Sequence, residues 1–220
     1  MPNSGAQAGL HTPKKPVQKR SQERVARILA AAEELLKDEG APGVTAHAVA
    51  DKAEVPPSSV YQFFPSREAI LFALAQSFID RVQPYYDKEM SKATIRQWQD
   101  IIETMTRVGQ KFYRDIPYAA PLIIGSYRTT DIYATDKSYN EQLAGQAIET
   151  FRQHFELPPI EDIETKFLIM IEIADAIWAI SVRAHGLITD QYNLEARRGM
   201  ISYLSNYLPP ALPPKSSPAS

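Results

Sequence analysis

The chain has 220 residues, of which 44% are hydrophobic and 23% charged, with no cysteine and a formal charge of −2. That suffices for one large or two small domains with a buried core, and it excludes disulfides, cysteine nucleophiles and cysteine metal sites. The net charge points to no particular partner, but its distribution does: Lys14, Lys15, Lys19, Arg20, Arg24 and Arg27 face a single acid, Glu23, whereas from Pro84 onward 14 bases meet 17 acids. A basic arm on an acidic body suits a protein that touches a polyanion with one end only, and equally suits a solvated charged tail.

Residues 1–20 are rich in Pro, Gly, Ala and Gln and contain no apolar run. They read as a disordered basic arm, not as a signal peptide or membrane anchor. The stretch 209–220, with five prolines, reads as a disordered tail. No segment offers the roughly 18 uninterrupted apolar residues of a membrane span, so a cytoplasmic protein without membrane contact is expected.

The first helix is expected from near Ser21, where Val25, Ile28, Leu29, Ala32, Leu35 and Leu36 form one apolar stripe. Gly40 is placed to end it. Thr45 can cap a short second helix through Ala53. Pro56 and Pro57 stop that helix and start a third, which carries Ser58, Ser59, Val60, Tyr61, Gln62, Phe63 and Phe64. Ser66 caps a fourth helix, with Glu68 in its first turn and Ile70, Leu71, Leu74, Phe78 and Val82 on its apolar side. Pro84 is expected to kink or end it. Three helices should pack around Leu29, Ala32, Leu36, Val44, Val49, Val55, Val60 and Phe64. Two short helices joined by a tight turn are a DNA-docking unit whose second helix enters the major groove.

Beyond Pro84 the pattern is helical throughout. Ile95, Trp98, Ile102, Met105, Gly109 and Phe112 recur at alternating spacings of three and four. Pro117 opens a short helix through Ile123. A longer one opens at Asp131 and closes at Leu157-Pro158-Pro159. Ile160 to His185 is apolar nearly all round, so it must be buried on several sides, most simply by a partner subunit. Leu194, Ile201, Leu204 and Leu208 mark the last helix. The expected fold is all-α.

The run Val60-Tyr61-Gln62-Phe63-Phe64-Pro65-Ser66-Arg67-Glu68-Ala69-Ile70, with Gly40, Thr45, Val49, Ala50, Ala53 and Val55 upstream, resembles the TetR-type (TetR/AcrR) bacterial transcriptional regulators from about Ser21 to Arg81. Glu54 stands where that family has a turn glycine, Gln62 where an aromatic is common, and Phe63 where histidine is common. The resemblance implies a helix-turn-helix DNA-binding domain at 21–81, with its motif at 44–63. A helical ligand-binding and dimerisation domain would follow at 82–208.

The same resemblance implies that His47, Pro57, Ser58, Ser59, Tyr61, Gln62 and Arg67 face double-stranded DNA, a palindromic operator. There Thr45 and Tyr61 can bond phosphate, Arg67 adds a charge, and Gln62 can pair with adenine. It further implies a homodimer through the last two long helices and a small-molecule effector whose binding shifts the fourth helix. Trp98, Phe112, Tyr127, Glu172, Asp175 and Trp178 are the candidate effector-site residues. Glu172 and Asp175 lie one turn apart, and can face a cationic ligand or pair with Arg128 or Arg183. No cofactor and no metal are expected. The favoured reading is a repressor released by an apolar or aromatic ligand. A DNA-binding regulator controlled by a protein partner or by abundance is the alternative. An all-helical enzyme is remote, for no H-E-x-x-H, nucleophile elbow or phosphate loop is present.

Overall fold

A computed structural model describes residues 19–215, and among them every regular element is a helix. The first helix, α1 (Lys19–Gly43), starts two residues ahead of Ser21. It breaks at Gly40, whose φ of 71° is open to glycine at little cost, and the chain turns through Ala41–Gly43. The short helix α2 (Ala46–Lys52) is capped by Thr45, whose Oγ1 accepts the Ala48 amide at 3.2 Å. Glu54 occupies the following turn at a φ of 53°, so this chain places an acidic residue in the left-handed region where glycine fits best. Pro57 then opens α3 (Pro57–Phe63). Ser66 caps α4 (Arg67–Ile79) by accepting the Ala69 amide at 3.2 Å. Ile28, Ala32, Leu36, Val44, Val49, Val60 and Phe64 fill the core of this unit, while Leu29 and Val55 lie at its edge.

The body consists of α5 (Val82–Met90), α6 (Trp98–Asp115), a 3-10 turn at Pro117–Ala119, α7 (Ala120–Ile123), α8 (Thr130–His154), α9 (Ile163–His185) and α10 (Asp190–Leu204). Gly186, at a φ of 73°, closes α9 and lets the chain fold back so that α10 packs along it. On the other side α9 packs against α8, and α4 runs into the body to meet α7 and α8.

Two expectations are corrected. Pro84 neither kinks nor ends α4. That helix stops at Ile79, and Pro84 is the third residue of a separate helix, α5, where no intrahelical partner for its missing N–H is required. Nor is the stretch from Pro209 to Lys215 loose. Leu212 is buried, the Pro209 carbonyl accepts the Trp98 indole N–H at 3.0 Å, and the Lys215 amide donates to the His154 carbonyl at 2.8 Å. Proline richness removes donors, but it leaves carbonyls that other segments can bond. The expected basic arm falls mostly on residues 1–18, outside the described residues; Lys19 and Arg20 already belong to α1.

Candidate nucleic-acid interface and effector cavity

On the N-terminal unit, α2 and α3 together present one polar, aromatic face. Thr45, His47, Pro57, Ser58, Tyr61 and Gln62 are exposed and Ser59 is half-buried. His47 of α2 and Tyr61 of α3 meet edge to face with ring centroids 6.3 Å apart. The reason is the register of α3: Val60, Phe63 and Phe64 face the core, which leaves Tyr61 and Gln62 outside. Phe63 is therefore a packing residue. A groove-reading helix needs this division, with a fixed apolar side and hydrogen-bonding groups on the other.

Arg67 takes a different place from the one expected. Its Nε donates to the Val44 carbonyl at 3.1 Å and its Nη2 to the Ala41 carbonyl at 2.6 Å. The guanidinium ties the start of α4 to the turn between α1 and α2. A basic feature was passed over in sequence. Arg20, Arg24 and Arg27 lie four and three residues apart on α1, so they share one face, and all three are exposed with no ion pair among the described residues. Their spacing alone marks that face, whereas a count of bases along the chain merges them with the arm. Within Thr45–Arg67 itself, Lys52 and Arg67 are the only lysine and arginine. Lys52 bonds Glu34 at 3.0 Å, so the positive charge of this unit that has no acidic partner among the described residues lies on α1.

The body holds a partly open cavity of about 70 Å³. Phe112 and Tyr113 of α6, Ile171 and Trp178 of α9, and Asp136 and Asn140 of α8 contribute to its wall. Gly109 makes room for it: a methyl group there would come within 2.3 Å of the Trp178 ring. The Trp178 indole N–H is spent on Asn193 Oδ1 at 3.1 Å, which fixes the ring.

Of the expected effector residues, Phe112, Asp175 and Trp178 line this cavity. Glu172 lies just behind the wall, where its Oε1 accepts from Asn140 Nδ2 at 3.2 Å. Trp98 and Tyr127 belong elsewhere. Trp98 is fully buried at the opposite end of α6 against Phe151 and the C-terminal segment, and Tyr127 is exposed beyond α7. Residue type alone does not tell an aromatic that fills core from one that walls a cavity.

The polar part of the wall is acidic. Asp136, 4% exposed, accepts from Arg128 Nη2 at 2.5 Å. Asp175, 9% exposed, accepts from Asn140 Nδ2 at 2.9 Å and forms no ion pair among the described residues. Burial, then the neighbouring Asp175 charge, pushes the Asp136 carboxyl up to about 8 against the pull of Arg128. Burial likewise raises Asp175 to about 6, opposed by the Asn140 hydrogen bond. The Tyr113 hydroxyl is driven upward by burial and by the two aspartates. The Tyr139 hydroxyl is buried with no hydrogen-bond partner among the described residues. No group of His, Asp and Glu is arranged to hold a metal ion among the described residues.

The cavity reaches the DNA-facing unit through two residues. Ile79, the last of α4, and Val82, the first of α5, line it and bracket Arg81. Arg81 grips Glu33 of α1 with both arms of its fork, at 3.0 and 2.6 Å, and Tyr118 of the 3-10 turn donates to the same carboxylate at 2.9 Å. Burial works against the Glu33 charge, but the Arg81 and Tyr118 hydrogen bonds outweigh it and hold the carboxyl below its ordinary value. Three segments thus meet on one acid. On the outer side of α9, Ile169 (40% exposed) and Ile180 (46% exposed) are left open at either end of a stripe whose middle, Ile173 and Ile177, is half-buried against Gly199 of α10. No helix of the described residues is long and apolar enough to cross a membrane.

Residues 28–74 match the family described as "Bacterial regulatory proteins, tetR family", and residues 96–208 match the "Tetracyclin repressor-like, C-terminal domain". No curated protein matches in sequence. Among solved structures, a TetR-family transcriptional regulator from Streptomyces coelicolor is 24% identical, with a TM-score of 0.62 over 84% of this chain and 99% of that one. RolR in complex with resorcinol is 16% identical, with a TM-score of 0.55 over 84% and 88%. SmeT, the repressor of the Stenotrophomonas maltophilia multidrug efflux pump SmeDEF, is 14% identical, with a TM-score of 0.55 over 91% and 100%. The two family matches together cover most of the chain and coincide with the two-helix unit and the cavity-bearing body: the chain belongs to the TetR family and is a DNA-binding transcriptional regulator, not an enzyme.

Proposed function

We propose that the protein is a dimeric repressor that leaves a palindromic operator when a small apolar or aromatic molecule occupies the body cavity. The observation that carries this reading is that Ile79 and Val82 belong to the cavity wall while Arg81, between them, holds Glu33 of the DNA-facing unit. A molecule in the cavity acts only through a difference in affinity between the DNA-competent and released forms. A cavity of about 70 Å³ is well below the roughly 300–1,000 Å³ of drug-sized sites, so a ring-sized occupant must push the wall outward. Ile79 and Val82 are then displaced, and the Arg81–Glu33 tie transmits the displacement to α1. That RolR, of similar fold, was solved with resorcinol supports an aromatic occupant of modest size.

The exposed Ile169 and Ile180 on α9 support dimerisation through α9 and α10, because apolar side chains on one helix face are stabilised when a second copy covers them. In this reading Ser58, Tyr61 and Gln62 read the groove, Thr45 and His47 approach the backbone, and Arg20, Arg24 and Arg27 neutralise phosphates.

The test is a thermal-shift screen of small molecules on the full chain, with each hit retested for release from the protein's own upstream DNA. A ligand selective for the native state raises the midpoint by mass action. Tyr61→Ala serves as the DNA-blind control: it is expected to weaken operator binding about tenfold, ~1.4 kcal/mol, with the dimer and the ligand-induced shift intact. Stabilising hits that all leave DNA bound would remove the effector reading. Full DNA binding by Tyr61→Ala would remove the groove assignment.

A further inference from the structure

We propose that the cavity is built for an organic cation, a protonated amine carrying one small apolar or aromatic group, with its charge set against Asp175 and Asp136 and its apolar part against Phe112, Ile171 and Trp178. This deepens the effector reading above and rests on the cavity being the effector site.

The charges around the cavity do not balance. From α8 and the segment before it come Asp136, Tyr139, Asn140 and Arg128; from α9 come Glu172 and Asp175; from α6 comes Tyr113; from α5 comes Tyr86, whose hydroxyl is engaged with Thr150. Arg128 is the one cation that pairs with this cluster among the described residues, and it pairs with Asp136. Arg183, in the last turn of α9, is exposed and makes no ion pair with either acid among the described residues. Asp175 therefore has the Asn140 amide in contact and feels the Arg128 charge only at a distance, and Asn140 divides its two N–H groups between Asp175 and Glu172. A carboxylate nine-tenths buried without a counter-ion is costly, and the cost is relieved by a proton or by a cation.

The shape of the site separates an organic cation from the alternatives. Most of the wall is apolar or aromatic, and aromatic faces attract cations. A bare metal ion would need several converging oxygen ligands, and the acids here are not so arranged among the described residues. An anion would be repelled by the Asp136 and Asp175 carboxylates in the wall. The unbonded Tyr139 hydroxyl can accept a hydrogen bond from an ammonium group, and the Asp175 carboxylate can accept another.

A proton now held by the carboxyls must leave when the cation enters. Burial raises Asp175 to about 6 and, with the Asp175 charge, Asp136 to about 8. A cation therefore binds more tightly as pH rises across this interval, while a neutral isostere is indifferent to it.

The experiment is calorimetric titration of the full-length dimer with three isosteres: benzylamine as the cation, benzyl alcohol as the neutral form and benzoate as the anion. The expected order at neutral pH is benzylamine at least about tenfold tighter than benzyl alcohol, with benzoate weakest. Benzylamine should tighten several-fold between about pH 6 and 8 with proton release. Asp175→Asn should abolish the preference for the amine and keep the alcohol. The wild-type pH profile supplies the same information should that variant fold poorly. Equal or tighter binding of the alcohol would overturn the cation proposal and leave the cavity as effector site. Binding of none of the three would overturn both.

Discussion

The DNA-facing unit and the cavity of the body handle buried polarity in opposite ways. In the unit around α2 and α3, the helix starts and the Arg67 guanidinium are tied to local partners. Thr45 and Ser66 cap helices, and Arg67 spends its donors on the Ala41 and Val44 carbonyls. In the cavity, Asp175 has an amide and no cation, the Tyr139 hydroxyl has no partner among the described residues, and a glycine at 109 leaves room for Trp178 to stand against α6. A satisfied unit keeps one geometry and suits a reading head. An under-satisfied cavity has interaction energy left to gain, which is what a ligand can use to shift an equilibrium.

The comparison breaks first at Arg67. If the unit owes its geometry to that clamp, Arg67→Ala leaves two carbonyls without their charged donor and costs about 2–3 kcal/mol of stability. Denaturant titration would show the loss. Operator affinity should fall together with stability and recover at lower temperature. A lysine cannot reproduce the fork, so Arg67→Lys should recover only part of it. Unchanged stability with a selective loss of DNA binding would instead return Arg67 to the phosphate-contacting role that its position in the sequence suggested.

This contrast also explains which features were legible in the sequence. The helix-turn-helix depends on local signals: a threonine cap, two prolines, a serine cap and apolar residues at helical spacing. Each works within a few residues, so α2, α3 and the start of α4 fall where Thr45, Pro57 and Ser66 put them. The body helices followed from periodicity for the same reason. The cavity depends on which distant helices meet. Asp136 and Asp175 share a wall because α8 packs on α9, and nothing local to either marks that. Trp98 looked as suitable as Trp178; one is pinned by the Pro209 carbonyl far from the cavity and the other stands in its wall. The C-terminal segment was misread because composition reports propensity and not the carbonyl acceptors that Trp98 and Gln99 use.

The acidic wall sharpens the comparison through pH. A carboxyl raised in the folded state binds a proton that the unfolded chain has already released. Its stabilising contribution is complete below the ordinary value of 3.8 and is lost as pH rises through the folded values of about 6 and about 8. Glu33, held below its ordinary value, acts in the opposite sense and only at the acidic end. The ligand-free protein is therefore expected to lose thermal stability between about pH 5 and 8. Asp136→Asn combined with Asp175→Asn should flatten that slope. The slope is the readout, since removing Asp136 leaves Arg128 without its carboxylate and lowers stability at every pH. An equally steep decline in the double variant would assign the pH dependence to other groups.

The smallest expected effect concerns the join between the two regions. Glu33 accepts from Arg81 and from Tyr118, so a body-side displacement at Ile79 and Val82 reaches α1 through one carboxylate. Glu33→Gln keeps the shape and a hydrogen-bond acceptor but removes the charge that holds the fork. The expected outcome is near-normal operator affinity without ligand and near-normal ligand affinity without DNA. The reciprocal effect of each on the other should weaken by about 1 kcal/mol, roughly fivefold. Arg81→Gln should behave alike, and the double variant should be no worse than either single one if the two residues act as one tie. Additive losses would mean that α4 carries the coupling through its packing on α7 and α8, with the ion pair a bystander.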